Sequence, residues 1–293
     1  MKELKGLKEW AGPLTEAIAL RSSVRAFAQA PLPNELLEGM GRWIKELPVP
    51  FEHNAKPQLF EAEPGKKLYN NGINPVNNLA VVSQTDLVSI SKAGFVGELI
   101  MLHAVRLGLS ACWFGHYKLA EVGRYIPGMA AAGRIKESTM GYGYGKHVDV
   151  GERVICCMPM GYKDETAKRL VDFVAGKNGA KRKPTPELLE SPGLAGEIPA
   201  EIEAVLELAK LAPSAANSQM WRFGLHDGFK TITVAKPVGY KHFKWEHPDV
   251  DVGMCAAHIW LGLIEKGYMP KVDARIDADR AFWTFNVGNV SRM

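Results

Sequence analysis

The stretch "AGFVGELIMLHAVRLGLSACWFG", residues 93–115, decides how this chain folds. It opens as a helix that is apolar on most sides, the mark of a helix buried at the centre of a protein. Gly94, Gly97 and Ala104 are small enough to let a partner helix come close. Gly108 supplies a natural helix stop, and "LSACWFG" beyond it reads as a strand or turn. A second stretch mirrors the first. "DVDVGMCAAHIWLGLIEKGYMPKV", residues 249–272, has small residues early, apolar faces nearly all round, a glycine stop at Gly267 and then a short extended piece. The two helices, over 93–108 and 251–267, are expected to pack together. The mirroring is approximate and falls short of a strict repeat. It points to an internal pseudo-two-fold arrangement.

The other elements fall around these two. A helix is expected over 13–20, with Pro13 in its first turn. "PNELLEGMGRWIKEL" (33–47) has the apolar spacing of an amphipathic helix. Residues 48–78, rich in Pro, Asn, Gly and Lys, read mostly as loop. "NLAVVSQ" (78–84) is a short strand, and "RVICCMPMGY" (153–162) a buried strand ending in a glycine turn. "TPELLESPGLAGEIPAEI" (185–202), dense in Pro, Gly and Glu, marks a boundary. After it come a helix, "EIEAVLELAKL", and a hairpin, "WRFGLHDGFKTITVAKP", turning at "HDGF". The fold class expected is α+β.

Composition sets the limits. The chain has 293 residues, 46% hydrophobic and 23% charged, the profile of a soluble globular protein of one large or two ordinary domains. No unbroken apolar run approaches the roughly 20 residues that span a bilayer, and the N-terminus lacks the apolar core of a signal peptide. A cytoplasmic location and no membrane partner are expected. Of the four cysteines, Cys156 and Cys157 are adjacent in a strand and should point to opposite faces. Cys112 and Cys255 stand alone. Neither a disulfide framework nor a zinc spacing is visible, so buried thiols and no metal are expected. The net charge of +4 is mild. Basic residues concentrate only in "KNGAKRKPTPE" (177–187), which fits a solvated loop, an anion site or a nucleic-acid patch. No aromatic residues interleave with it, which argues against single-stranded nucleic acid.

Two stretches carry chemistry. "LAPSAANSQMWRF" (211–223) stops a helix at Pro213 and then sets out Ser214, Asn217, Ser218 and Gln219. It is either a polar loop or a ligand edge, where short amide and hydroxyl groups meet a flat polar molecule. "RSSVRAF" (21–27) places Arg21 and Arg25 four apart, able to share one face of a helical turn, with Ser22 and Ser23 between them. Guanidinium forks match phosphate oxygens, although a surface loop with two arginines is an alternative. Lys181, Arg182 and Lys183 could join the same ligand. "GYGYGK" (141–146) fits neither common phosphate-loop spacing and reads as a loop. "HFKWEH" (242–247) places two histidines five apart, which suits no metal-binding helix face.

Taken together, "RSSVRAF", the buried helix running into "GLSACWFG", "MGY" closing a strand, "RKPTPELL" and "APSAANSQMWRF" resemble the FMN-dependent nitroreductase family. That family shows an Arg-Ser-x-Arg/Lys start, an Ala-Pro-Ser-x-x-Asn-x-Gln-Pro-Trp segment, a Gly-Leu-Gly…Trp element, a Gly-Tyr-Pro and a late Arg-Lys-Pro. Here the Pro-Ser-x-x-Asn segment follows the Arg-Lys-Pro instead of preceding the buried helix, and Met220 replaces a proline. Family members are intertwined homodimers with flavin at the interface, so the resemblance implies both subunits fused into one chain, the single-chain pseudo-dimeric type. It implies a nitroreductase-like fold with a central antiparallel sheet and two pseudo-two-fold related halves. Residues 1–190 would carry the FMN phosphate side, and 197–293, a truncated half, the Pro-Ser-x-x-Asn wall.

Roles follow from the resemblance. Arg21, Ser22 and Ser23 would bind the FMN phosphate with Arg182 and Lys183. Arg25 would sit near the flavin N1–C2 carbonyl edge. Phe114, Gly115 and His116 would lie beside the ring and N5. Pro213, Ser214, Asn217 and Gln219 would contact the flavin from the second half, and Asn71 could approach the ring. His116 is either a proton donor or a loop histidine without a role, because the flavin itself carries the hydride chemistry and needs no catalytic side chain. The activity implied is ping-pong transfer of hydride from NAD(P)H through FMN to a nitro compound, quinone or similar small acceptor. The alternative is an FMN carrier or sensor without turnover. The expected unit is a monomer with one FMN, with no nucleic-acid partner.

Overall fold

The computed structural model describes residues 2–69, 74–126, 152–166, 181–191, 197–242 and 245–287. Helix α1 (Lys2–Leu20) begins well before residue 13, and Pro13 lies inside it. An internal proline removes a backbone hydrogen bond. The helix holds because Ala11, Leu14, Ala17 and Ile18 are buried in the main core, so packing overrides local propensity. The amphipathic α2 (Asn34–Lys45) lies where its spacing places it. The segment expected as loop contains a strand, β1 (Lys56–Glu61). It is an edge strand, where Lys56 and Pro57 are tolerated.

Strand β2 (Asn77–Gln84), helix α3 (Leu87–Arg106), strand β3 (Ser110–Ala111), the single turn α4 (Leu119–Val122) and strand β4 (Glu152–Gly161) follow in the first half. Asp86 caps α3 by accepting the Ser89 N–H at 2.9 Å. Alternation along β4 sends Cys156 into the core beneath α2 and α3. It sends Cys157 to the opposite face, with Tyr69 and Tyr117.

The first half ends with the single turn α5 (Thr185–Leu188), and the second contains α6 (Ala200–Ala209), β5 (Arg222–His226), β6 (Thr231–Ala235), α7 (Pro248–Glu265), β7 (Lys271–Asp277) and β8 (Arg280–Asn286). The β5–β6 hairpin turns through Asp227, Gly228 and Phe229, all at positive φ. The antiparallel strands divide into two four-stranded sheets, β1-β2-β4-β3 and β5-β6-β8-β7. Each sheet therefore runs first, second, fourth, third in chain order, with a long helix between its second and third strands.

Helices α3 and α7 make the main helix–helix contact, and α3 packs on strands of both sheets. A side chain added at Gly94 would strike the backbone carbonyl of Val250, and one at Gly253 would strike that of Ser91. Each glycine faces the residue three positions before the other, the reciprocity of an isologous contact. The helix ends match as well. Gly108 and Gly267 take φ values of 79° and 84°. The next residues, Leu109 and Tyr268, donate their N–H to Ala104 and Leu263 at 3.0 and 2.9 Å. These are two copies of one glycine C-cap. The two glycine pairs, 94 with 253 and 108 with 267, share one sequence offset.

By length and composition α3 could cross a membrane, but 83% of its apolar window is buried inside the protein. It is a core helix.

Candidate active site

Beyond α1 the chain pairs with neighbouring strands instead of making the helical turn that Arg21 and Arg25 could have shared. Ser23 bridges Ala111 of β3, and Phe27 bridges Lys163 beyond β4. Alternation along an extended chain sends every second side chain one way. Ser23 and Arg25 consequently line one pocket, while Ser22 faces solvent.

The pocket has a volume of about 290 Å³. Its walls come from both halves of the chain. The first half gives Ser23, Arg25 and residues 112–116; the second gives residues 213–216, Trp245 and Asp251. Phe114 is fixed by paired backbone hydrogen bonds with Cys157 at 2.8 and 2.9 Å, and its ring stacks on Tyr69 at 4.6 Å. The Trp245 ring lies directly on Gly115, where any side chain would collide with it.

The polar row at 211–219 has a structural task. Arg182 donates to the carbonyls of Leu211 and Ala212 at 2.9 and 3.0 Å and to Asn217 Oδ1 at 2.9 Å. Asn217 Nδ2 donates to the Lys181 carbonyl at 3.0 Å. Gln219 Oε1 accepts the Lys183 N–H at 2.9 Å, and Lys183 Nζ donates to the Ser218 carbonyl at 2.8 Å. Asn217 and Gln219 thus clasp the 181–183 segment. Pro213 and Ser214 face the pocket, joined by Ala215 and Ala216. The turn holds Ala216, Asn217 and Gln219 at φ values of 50°, 54° and 45°. Asparagine enters this left-handed region readily, whereas alanine and glutamine do so at a cost of roughly 1–2 kcal/mol each. Backbone strain of this kind collects at functional sites.

Behind the pocket lies a charged network. Arg21 is buried to 6% side-chain exposure, and its Nε stands 3.9 Å from Glu98 Oε1. Among the described residues its Nε and Nη1 have no hydrogen-bond partner. Arg182 is close enough that Arg21 adds to the effect of burial in lowering its pKa to about 10. Arg21 faces the Glu98 carboxylate, whose charge also acts on the half-buried Arg182, and Glu98 is engaged elsewhere. Its Oε1 meets His258 Nε2 at 3.0 Å, and its Oε2 accepts Trp113 Nε1–H at 2.8 Å. His258 Nδ1 faces the Leu208 carbonyl at 3.1 Å and must donate to it. One proton therefore lies between His258 and Glu98, at the centre of the α3–α7 contact. Buried donors without partners call for an anion. Arg21 fits a phosphate group on this ground; Arg182, half-buried beside it, already donates to Leu211, Ala212 and Asn217.

Asp251, in the first turn of α7, is a pocket residue that the motifs did not reveal. Burial pushes its pKa up to about 7, although the Ala215 N–H it accepts opposes the shift; that bond is 2.8 Å long. Burial also raises the thiol of Cys156, a neighbour in the pocket lining, well above its usual range. His116 lines the pocket, its ring edge-on to Trp245 at 6.2 Å. Asn71, the "GYGYGK" loop, residues 177–180, part of the 185–202 boundary and residues 243–244 lie outside the described residues. Among the described residues no three His, Cys, Asp or Glu side chains cluster as a metal site would need.

A model of the family described as "Putative TM nitroreductase" matches residues 13–263. No curated protein matches the chain. Among solved structures, a "putative nitroreductase (tm1586)" from Thermotoga maritima msb8 aligns with a TM-score of 0.59 at 19% identity, covering 94% of each chain. That likeness is one of fold. An FMN-dependent nitroreductase from Clostridium difficile R20291 aligns with 57% of this chain and 95% of its own, at 18% identity and a TM-score of 0.34. The family match over 13–263 and a fold shared along nearly the full length place this chain in the family described as "Putative TM nitroreductase".

Proposed function

We propose that the protein is an FMN-dependent oxidoreductase that passes hydride from NAD(P)H to a small acceptor such as a nitro compound or quinone. The observation that carries this reading is the pocket closed by both halves, with Arg21, two of whose nitrogens find no hydrogen bond among the described residues, and Arg182 beside it. Arg21, Arg182 and Ser23 would hold the phosphate, with Lys183 nearby. Arg25 would give the ring end of the pocket a cation, suited to negative charge arising there. Residues 114–116 and 213–214 would form opposing walls. FMN bound there would supply two-electron chemistry at its N5, accepting hydride from one substrate and giving it to the next. One open site used by two substrates in turn gives ping-pong kinetics.

The two halves, 1–190 and 197–293, are read as fused counterparts of two subunits. The shared strand order and the reciprocal glycine contact support this. A complete site would then need only one chain, and the unit would be a monomer with one FMN. The four free cysteines suit a reducing compartment such as the cytoplasm. A second reading, an FMN carrier or sensor without turnover, draws on one observation: Trp245 fills the space over Gly115.

The test is reconstitution with FMN followed by steady-state oxidation of NADH and NADPH with a quinone or a nitroaromatic. Flavin release as FMN and parallel-line kinetics are expected. FMN binding without turnover would favour the carrier, and no flavin binding would overturn both readings.

A further inference from the structure

Asp251 is an acid in an unusual place. It sits in the first turn of α7, where a helix dipole favours the carboxylate, yet it is buried and lines the pocket. Its Oδ2 accepts the N–H of Ala215, a residue of the strained 213–217 turn that forms one pocket wall. The groups that face this pocket with it are Arg25 from the first segment, Cys112 and His116 from 112–116, Cys156 from β4 and His242. Asp249, on its own helix, is a like charge that adds to the effect of burial. Among the described residues no salt bridge holds Asp251 in its ionised form.

We propose that Asp251 is the proton-donating residue of this pocket, a catalytic acid for the second half-reaction. This rests on the oxidoreductase reading given above. Two-electron reduction of a quinone needs a hydride and a proton. The hydride comes from NAD(P)H by way of the bound flavin. As it reaches the quinone, one carbonyl oxygen gains negative charge and takes the proton from the Asp251 carboxyl. The products are a hydroquinone and the Asp251 carboxylate, which regains its proton from water. A nitro group, whose oxygen must leave as water, draws on the same donor. The acceptors favoured are those whose reduction consumes a proton, such as quinones and nitroaromatics. One-electron metal-complex acceptors need no such donor. Burial keeps the carboxyl protonated to near neutral pH, about 7, which matches a general acid to its working range.

The test compares wild-type, Asp251→Asn and Asp251→Glu chains, each first assayed for FMN binding. In the flavin-free protein, carbon-13 NMR of labelled aspartate should show a carboxyl titrating near neutrality that is missing from Asp251→Asn. In the FMN-loaded protein, reduced anaerobically, reoxidation by benzoquinone should slow in wild type as pH rises through 7. In Asp251→Asn it should be slower by about 100-fold, as general-acid catalysis implies, and independent of pH. Reoxidation by ferricyanide should be unchanged, and Asp251→Glu should recover part of the quinone rate. If FMN binds but Asp251→Asn keeps the wild-type quinone rate and pH profile, the acid role is overturned and the oxidoreductase reading stands. A carboxyl already ionised at pH 5 would also overturn it. Failure of wild-type protein to bind FMN would overturn both.

Discussion

The two halves of the chain share an architecture and divide a chemistry. In each, two strands lead into a long buried helix, a glycine cap closes it, and two strands return to a sheet of the same order. Their contributions differ. The first half brings Arg25 to the pocket lining and holds Arg21 and Arg182 outside that lining; residues 213–216 and α7 bring a strained turn and a buried acid. In the first half residues 112–151 separate β3 from β4 in sequence, whereas the other half joins β7 to β8 by a two-residue turn. Architecture repeats where packing demands it, at the helix crossing and the caps.

The two halves depend on each other most at the helix crossing. Gly94→Val and Gly253→Val each drive a side chain into the facing helix backbone. Each should cost about 5 kcal/mol or abolish folding, and the two should be alike. Gly6→Ala, at a site with open space around it, should change stability by less than about 1 kcal/mol. Denaturant midpoints read all three. Unequal losses at 94 and 253 would undo the reciprocity.

The next effect is pH-dependent stability. The folded pKa of Asp251, about 7, lies above its unfolded value of 3.8. Between these values the unfolded state releases its proton first, so stability falls as pH rises from about 4 to 7 and then levels off. Asp251→Asn removes that loss. Relative to wild type it should gain roughly 3–4 kcal/mol between pH 4 and pH 7, read from unfolding curves at both pH values. Equal slopes for the two proteins would show that Asp251 ionises normally.

Arg21→Ala tests the cation side. Charge-assisted bonds to phosphate are worth about 2 kcal/mol, so FMN affinity should fall about 30-fold. Calorimetric titration should find Arg124→Ala, an exposed control, unchanged. The smallest effect lies in the short β7–β8 turn, where Ala278 holds φ at 54°. Ala278→Gly should raise stability by about 1 kcal/mol, and a loss there would mean that the turn is not strained.

Much of the architecture was legible. Nearly unbroken apolarity with early glycines identified α3 and α7, and Gly108 and Gly267 marked their ends. Other elements left no local signal. β1 is a half-buried edge strand carrying a proline, so its pattern reads as loop. β8 follows a turn of Ala278 and Asp279, without the Asn-Gly or Asp-Gly that marks a hairpin. The first turns of α1 contain Gly6 and Gly12 and precede Pro13, all weak helix formers, and only tertiary contacts hold them.

The site divides in the same way. Motif reading brought Ser23, Arg25, residues 114–116 and 213–214 to one pocket. It did not reveal that Asn217 and Gln219 are taken up by the 181–183 clasp, because competing hydrogen bonds between distant segments are invisible in one dimension. Glu98 and His258 did carry a signal: each is the ionisable residue in the apolar middle of its helix, and they meet. Asp251 carried none, since an acid in the first turn of a helix is ordinary until burial sets it apart.

If one chain closes one flavin site by itself, light scattering combined with flavin quantitation should find a monomer with one FMN, yellow as purified or after reconstitution. FMN retained only by a dimer would mean that the cations and the strained turn meet between chains, and two FMN per chain would require a second set of cations; either result rules out the single-chain site.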